Sequence, residues 1–275
     1  MRIIVQSLGQ DVVCNIPKYI HAALAAHYFL PEYIPNVCIK ASKLPAEITV
    51  CQGGKFNWQD KTITITDADS DLRSMIVILG ALLEQKRQQH RLYQVHGSAV
   101  AIDGNAVAII GGMSGIGKTT LALALQDLPG GAFIGDEKFV LDGQKQAIVG
   151  ACPLSKDNRK SETAFDFCLN MYKKPAKLVL VVFPVITTET ELTYYKLDKL
   201  KLFWHLYEEA SRDIRNLNFL YNNFAETQNS FDTRRIMKQR LADIQNISAH
   251  TPAYFIRGNM ADVSKFIYNL MTAST

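Results

Sequence analysis

No apolar run in this chain approaches the roughly 18 residues that a membrane-crossing helix needs; the longest, LVLVVFPVI at 178–186, is about half that and contains a proline. The N-terminal MRIIVQSLGQ carries one arginine and no extended apolar stretch followed by a small-residue cleavage site, so it reads as a strand and not as a secretory leader. A cytoplasmic location without a membrane partner is the expectation. Cysteine is scarce. Cys14, Cys38, Cys51, Cys152 and Cys168 are odd in number and form no CxxC pair, which argues against a disulfide framework and a zinc centre and leaves them as reduced core residues. His21, His27, His90, His205 and His250 share no metal-ligand spacing. Repeats and low-complexity segments are missing.

Charge of one sign is lacking too: 30 Lys and Arg stand against 26 Asp and Glu, a net +4. The basic clusters Lys156, Arg159, Lys160 and Arg234, Arg235, Lys238, Arg240 have none of the interleaved aromatic residues of a nucleic-acid surface. No nucleic-acid partner is expected, and the second cluster reads as a solvated helix face. With 275 residues and 48% hydrophobic content, the chain can bury a full core as one large domain or as a domain with a smaller companion.

The first 90 residues read as a strand-rich subdomain ending in a linking helix. Segments 2–8, 11–15, 47–51 and 61–66 carry the β-branched, alternating pattern of strands, and 17–30 reads as a short helix. From Ser70 an acidic start leads into Leu72, Met75, Ile76, Leu79, Leu82 and Leu83, spaced as one face of an amphipathic helix over 71–89.

The segment HGSAVAIDGNAVAIIGGMSGIGKTT, 96–120, carries the chemistry. Apolar runs at 98–102 and 105–110 flank Asp103-Gly104, a pair suited to a tight antiparallel hairpin. With those two residues at the turn, cross-strand partners sum to 207, which sets His96 opposite Gly111. The hairpin feeds GxxxxGK[ST], spelled Gly112-Met-Ser114-Gly115-Ile116-Gly117-Lys118-Thr119, and a helix over Thr119–Leu128 follows. Such a loop curls its backbone N–H groups around a phosphate at a helix N-terminus. Gly112, Ser114, Gly115, Ile116, Gly117 and Thr120 would cradle ATP, Lys118 would neutralise its β and γ phosphates, and the Thr119 hydroxyl would complete a Mg²⁺ shell. AFIGDEKFVL then reads as a strand ending in Asp136 and Glu137, 18 and 19 residues past Lys118. One acid suits the metal side and the other accepts a proton from an attacking hydroxyl. Asp136 is assigned as base and Glu137 to the metal, with the reverse assignment open. Lys156, Arg159 and Lys160 are candidates for phosphate or acceptor contacts.

Farther on, 139–141 and 147–149 can form a hairpin around Asp142-Gly143, 178–186 reads as a buried central strand, and Tyr195 to Ile247 as helical within a region 195–248. Trp204, Phe219 and Phe231 are expected in the core. A last strand, AYFIRG, and a helix over 262–271 close the chain.

The run from His96 to Leu141 resembles the kinase domain of the HPr kinase/phosphorylase group and its serine-kinase-like relatives: a His-Gly pair, a hairpin into a GxSGxGKS-type loop, an LALAL helix and a strand with paired acids. The resemblance covers about 50 residues, with Thr119 where relatives have Ser and Glu137 where they usually have Asp. It implies an α/β fold with a mixed sheet and P-loop, an HPr-kinase/PEP-carboxykinase-like core over 91–275, and a frequent habit of oligomerising. It also implies a place for His96 in the nucleotide pocket and for Asp136 in proton transfer. The first 70 residues do not resemble the regulatory domain of the bifunctional enzymes. The resulting expectation is an ATP- and Mg²⁺-dependent kinase acting on a hydroxyl of a peptide, a protein or a small molecule. A non-catalytic nucleotide sensor and a small-molecule kinase of ordinary P-loop architecture are the alternatives.

Overall fold

The computed structural model describes residues 1–52, 62–65, 68–111, 115–153, 172–188, 191–215 and 230–273. The chain divides into two compact units, Met1–His90 with Ser211–Met237 and Arg91–Ala210 with Lys238–Thr275. Residues 211–237 join the first unit because Ile214, Phe231 and Ile236 are buried in its core.

In the first unit, β1 (Arg2–Ser7) and β2 (Gln10–Asn15) form an antiparallel hairpin, and β3 (Val37–Ala41), β4 (Ile48–Gln52) and β5 (Thr62–Ile65) extend it to a five-stranded sheet in the order β3-β1-β2-β4-β5. The single helix expected over 17–30 is two, α1 (Lys18–Ala26) and α2 (Phe29–Tyr33). α3 (Ala68–Gln89) buries Leu72, Met75, Ile76, Leu79, Leu82 and Leu83 as their spacing requires. It is not amphipathic, however, because Val77, Ile78, Glu84, Arg87 and Gln88 on its other sides are buried as well. Its charges are matched inside. Arg87 bonds Glu84 at 2.9 Å and the Ser7 hydroxyl at 2.6 Å, and Gln88 donates to Glu84 at 2.7 Å. A buried ion pair is tolerated only when hydrogen-bonded in this way.

In the second unit, β6 (Leu92–His96), β7 (Ser98–Ile102), β8 (Asn105–Ile109), β9 (Gly131–Asp142), β10 (Ala147–Cys152), β11 (Ala176–Ile186), β12 (Thr193–Lys196) and β13 (Ala253–Gly258) form a mixed sheet ordered β10-β9-β7-β8-β11-β13-β12, with β6 also on β9. β10 pairs with β11 as well, so the ladder from β10 through β9, β7, β8 and β11 closes on itself. β8, β11 and β13 are parallel, which makes β11 the buried central strand that its unbroken apolar run suggests. One face carries α4 (Lys118–Gln126) and α7 (Met260–Thr272), through Leu121, Leu125, Val263 and Ile267. The opposite face carries the buried residues of α5 (Lys199–Arg215) and α6 (Arg234–His250), including Leu202, Leu206, Ile244 and Ile247.

Several expectations are corrected. Tyr195 lies in the edge strand β12, whose side chains are all exposed, and the helix begins at Lys199. Trp204 is 52% exposed, not core, while Phe231 is buried and Phe219 lies outside the described residues. Arg240 is fully buried beneath the solvated face assigned to it, its guanidinium 4.9 Å from the Tyr207 ring centroid. The 143–146 turn is longer than Asp142-Gly143 alone, and Asp142 caps it by accepting from the N–H groups of Gln144 and Lys145 at 2.9 and 3.0 Å.

Among the cysteines, Cys14 and Cys152 are buried, Cys38 is half-buried and Cys51 is exposed; Cys168 lies outside the described residues. Burial pushes the Cys14 thiol up to about 12, with Glu47 adding to the effect and Lys86 opposing it. Since the thiolate is the nucleophile, alkylation of the folded chain at pH 8 is expected to modify Cys51 and to spare Cys14 until denaturant is added. Peptide mass spectrometry reads this directly, and equal labelling of Cys14 and Cys51 in the folded chain would contradict the packing described.

Candidate functional site

The Asp103-Gly104 turn has left-handed backbone at both residues, φ 49° and 81°, as a two-residue hairpin turn requires. Ser98 faces Ile109 and Ile102 faces Asn105, so the expected register holds and β8 is aimed at the glycine loop. The loop ends at Gly117, φ 93°, and α4 begins at Lys118. A side chain at Gly117 would also meet Ile186 of β11, 2.7 Å away, so this position is held to glycine twice over. Lys118 Nζ donates to the Gly111 carbonyl at 3.3 Å.

His96 reaches the loop by a different route from the one expected. It is not opposite Gly111. At Gly97 the chain leaves one pairing for another: β6 pairs with the second half of β9, with His96 opposite Lys138, and β7 pairs with its first half, with Ala99 opposite Gly135.

That exchange of partners shapes the acids. Asp136 and Glu137 do not end a strand as expected; they sit in the middle of β9, between the last residue paired to β7 and the first paired to β6. On the other edge, the pairing with β10 shifts at the same point, between Ala151 opposite Phe139 and Cys152 opposite Asp136. This is a bulge, and it puts Glu137 in the left-handed region at φ 61°. A non-glycine residue there costs on the order of 1–2 kcal/mol, and the Gly97 N–H, donating to the Glu137 carbonyl at 3.0 Å, holds it in place.

The outcome is a cleft of about 490 Å³ lined by His96, Gly115, Gly117, Lys118, Thr119, Thr120, Asp136 and Glu137. Asp136 is 2% exposed. It accepts hydrogen bonds from Thr119 Oγ1 at 2.9 and 3.0 Å, and from Ser98 Oγ at 2.5 Å. Glu137 Oε2 lies 3.9 Å from His96 Nδ1, with both side chains partly exposed. Ile116 is not among the lining residues: its side chain packs on Gly111 and its carbonyl accepts from the Ile186 N–H at 3.4 Å. Gly112, Ser114, Lys156, Arg159 and Lys160 lie outside the described residues. Ser98 is the residue that the sequence reading passed over; its signal is a hydroxyl opening the otherwise apolar strand SAVAI.

Among the described residues, no group of three or more His, Cys, Asp and Glu could hold a metal by itself. A hydroxyl and a carboxylate in one cleft nevertheless suit Mg²⁺, which takes oxygen ligands, keeps several waters and completes its shell with substrate phosphates. Among the described residues, no helix is long and apolar enough to cross a membrane.

Replacing Gly117 with alanine is expected to cost about 2–4 kcal/mol, from positive φ together with the Ile186 contact. Gly115→Ala, which also has positive φ but nothing within 4 Å of a new Cβ, should cost about half as much. Chemical denaturation of the two variants measures the difference, and equal losses would place Ile186 away from the loop.

No family model matches the chain, and no curated protein does. Among solved structures, the chain is similar to the Hpr(Ser) kinase/phosphatase from Coxiella burnetii, at 15% identity and a TM-score of 0.35, over 66% of this chain and 95% of that one.

Proposed function

We propose that the cleft binds ATP with Mg²⁺ and transfers the γ-phosphoryl group to a hydroxyl of a peptide, a protein or a small molecule. The observation that carries the reading is the convergence of Lys118, Thr119, Asp136, Glu137 and His96 on one cleft at the end of a glycine loop. Those residue types match the needs of phosphoryl transfer: a cation for the phosphates, oxygen ligands for Mg²⁺, and a carboxylate for the acceptor proton. Bound Mg²⁺ would offset charge on the phosphates. The residues of this chain would do the rest. Backbone N–H groups of Gly112 to Thr120 and the Lys118 ammonium hold the phosphates, Thr119 supplies a metal ligand, and the Asp136–Glu137 pair serves metal and acceptor. In the step itself, the acceptor oxygen bonds to the γ-phosphorus as the bond from that phosphorus to the β,γ-bridging oxygen breaks. The hydroxyl proton passes to a carboxylate of the pair, and ADP leaves with the bridging oxygen. Lys156, Arg159 and Lys160 are proposed to contact the acceptor or the transferring group.

The left-handed Glu137 backbone sets that carboxylate beside Asp136 in the cleft, where catalysis needs one group for the metal side and one for the acceptor. Calorimetric titration with a non-hydrolysable ATP analogue and Mg²⁺ is expected to show micromolar binding, and Lys118→Ala should weaken it by roughly tenfold or more. Absence of binding by the wild-type chain would remove the reading.

A further inference from the structure

The two carboxylates of β9 stand in unlike surroundings, and the difference sorts roles that the sequence left interchangeable. A carboxylate has about four lone-pair directions. Asp136 accepts the Ser98 proton at 2.5 Å and the single Thr119 proton, shared between its two oxygens at 3.0 and 2.9 Å, and it is 2% exposed. An incoming acceptor therefore meets an occupied, buried group. A hydroxyl, in turn, has one proton and two lone pairs. By taking the Thr119 proton, Asp136 fixes the direction of that hydroxyl and leaves its lone pairs for a cation. Ser98, fully buried on β7, keeps Asp136 in this pose.

Glu137 is placed otherwise. Its side chain is 45% exposed at the same cleft, its Oε2 is 3.9 Å from His96 Nδ1, and the bulge turns its backbone to φ 61°. The next residue in the chain thus reaches the open side of the site, while Asp136 forms its floor.

We infer that Asp136, held by Ser98, is the positioning residue that orients the Thr119 hydroxyl toward Mg²⁺, and that Glu137, beside His96, is the carboxylate that meets the acceptor. This reverses the assignment expected from the sequence, and it rests on the phosphoryl-transfer reading above.

The test measures binding of a non-hydrolysable ATP analogue with and without Mg²⁺, and γ-phosphate release from Mg·ATP, for the full chain and for Ser98→Ala, Asp136→Asn and Glu137→Gln. Circular dichroism checks that each variant is folded. Mg²⁺ is expected to tighten analogue binding to the wild type. Asp136→Asn should lose roughly ten- to hundredfold of that tightening, with metal-free affinity unchanged within about twofold, as loss of a ligand-orienting partner does. Ser98→Ala should lose a few-fold of it, and because it leaves Asp136 in place it reports on the clamp even if the Asn variant fails to fold. Glu137→Gln should keep the tightening within about twofold and lower γ-phosphate release by roughly a hundredfold. Loss of the tightening in Glu137→Gln with retention in Asp136→Asn would overturn the inference, and so would unchanged release in Glu137→Gln. A wild type that binds the analogue equally well with and without Mg²⁺ also overturns it, while leaving nucleotide binding intact. A wild type that binds no nucleotide overturns the phosphoryl-transfer reading itself.

Discussion

The second unit depends on a constraint at the centre of β9. One edge of this strand is shared by two shorter neighbours, β7 against its first half and β6 against its second, and the ladder cannot run smoothly from one to the other. Gly97 makes the change on one side and the bulge at Asp136–Glu137 absorbs it on the other. Everything in the cleft follows from that junction. β7 continues through the hairpin into β8 and the glycine loop, β6 ends at His96, and the bulge turns two consecutive acids toward α4. In an uninterrupted strand, adjacent side chains point to opposite faces, and Asp136 and Glu137 could not both line one cleft.

The same logic of local strain compensated by surrounding order appears in the buried polar groups. Asp243 of α6 receives Arg91 Nε at 2.9 Å and the Tyr93 hydroxyl at 2.5 Å, which ties the start of β6 to the helix covering that face. Burial, followed by the hydrogen bond to Asp243, pushes the Tyr93 hydroxyl well above its ordinary range, so it remains a donor. In the first unit, Glu84, Arg87, Gln88 and Ser7 perform the equivalent task around α3. Each cluster is satisfied internally, and so each costs far less than an isolated buried charge would.

Features set by short-range chemistry were readable from the residues alone. The Asp103-Gly104 turn fixed the hairpin register, the apolar run at 178–186 marked a central strand, the Leu and Met spacing placed α3, and Gly117-Lys118-Thr119 marked the start of α4. Each depends on neighbours within a few residues, where dihedral preference and side-chain period act directly. Other features depend on pairing between distant segments. Which strand His96 would join, whether β9 would end or bulge at Asp136, and which hydroxyls would reach that carboxylate were decided by the competition of β6, β7 and β10 for β9. The burial of Arg240 and the exposure of Trp204 likewise follow from how α5 and α6 lie on the sheet, since a helix period shows that faces differ but not which one a distant sheet will cover. Sequence alone thus determined the chemistry available to the site, because residue type and local spacing carry it; only the tertiary structure decided which carboxylate is buried and which is open, because a one-residue change in strand pairing reverses the direction of every side chain beyond it.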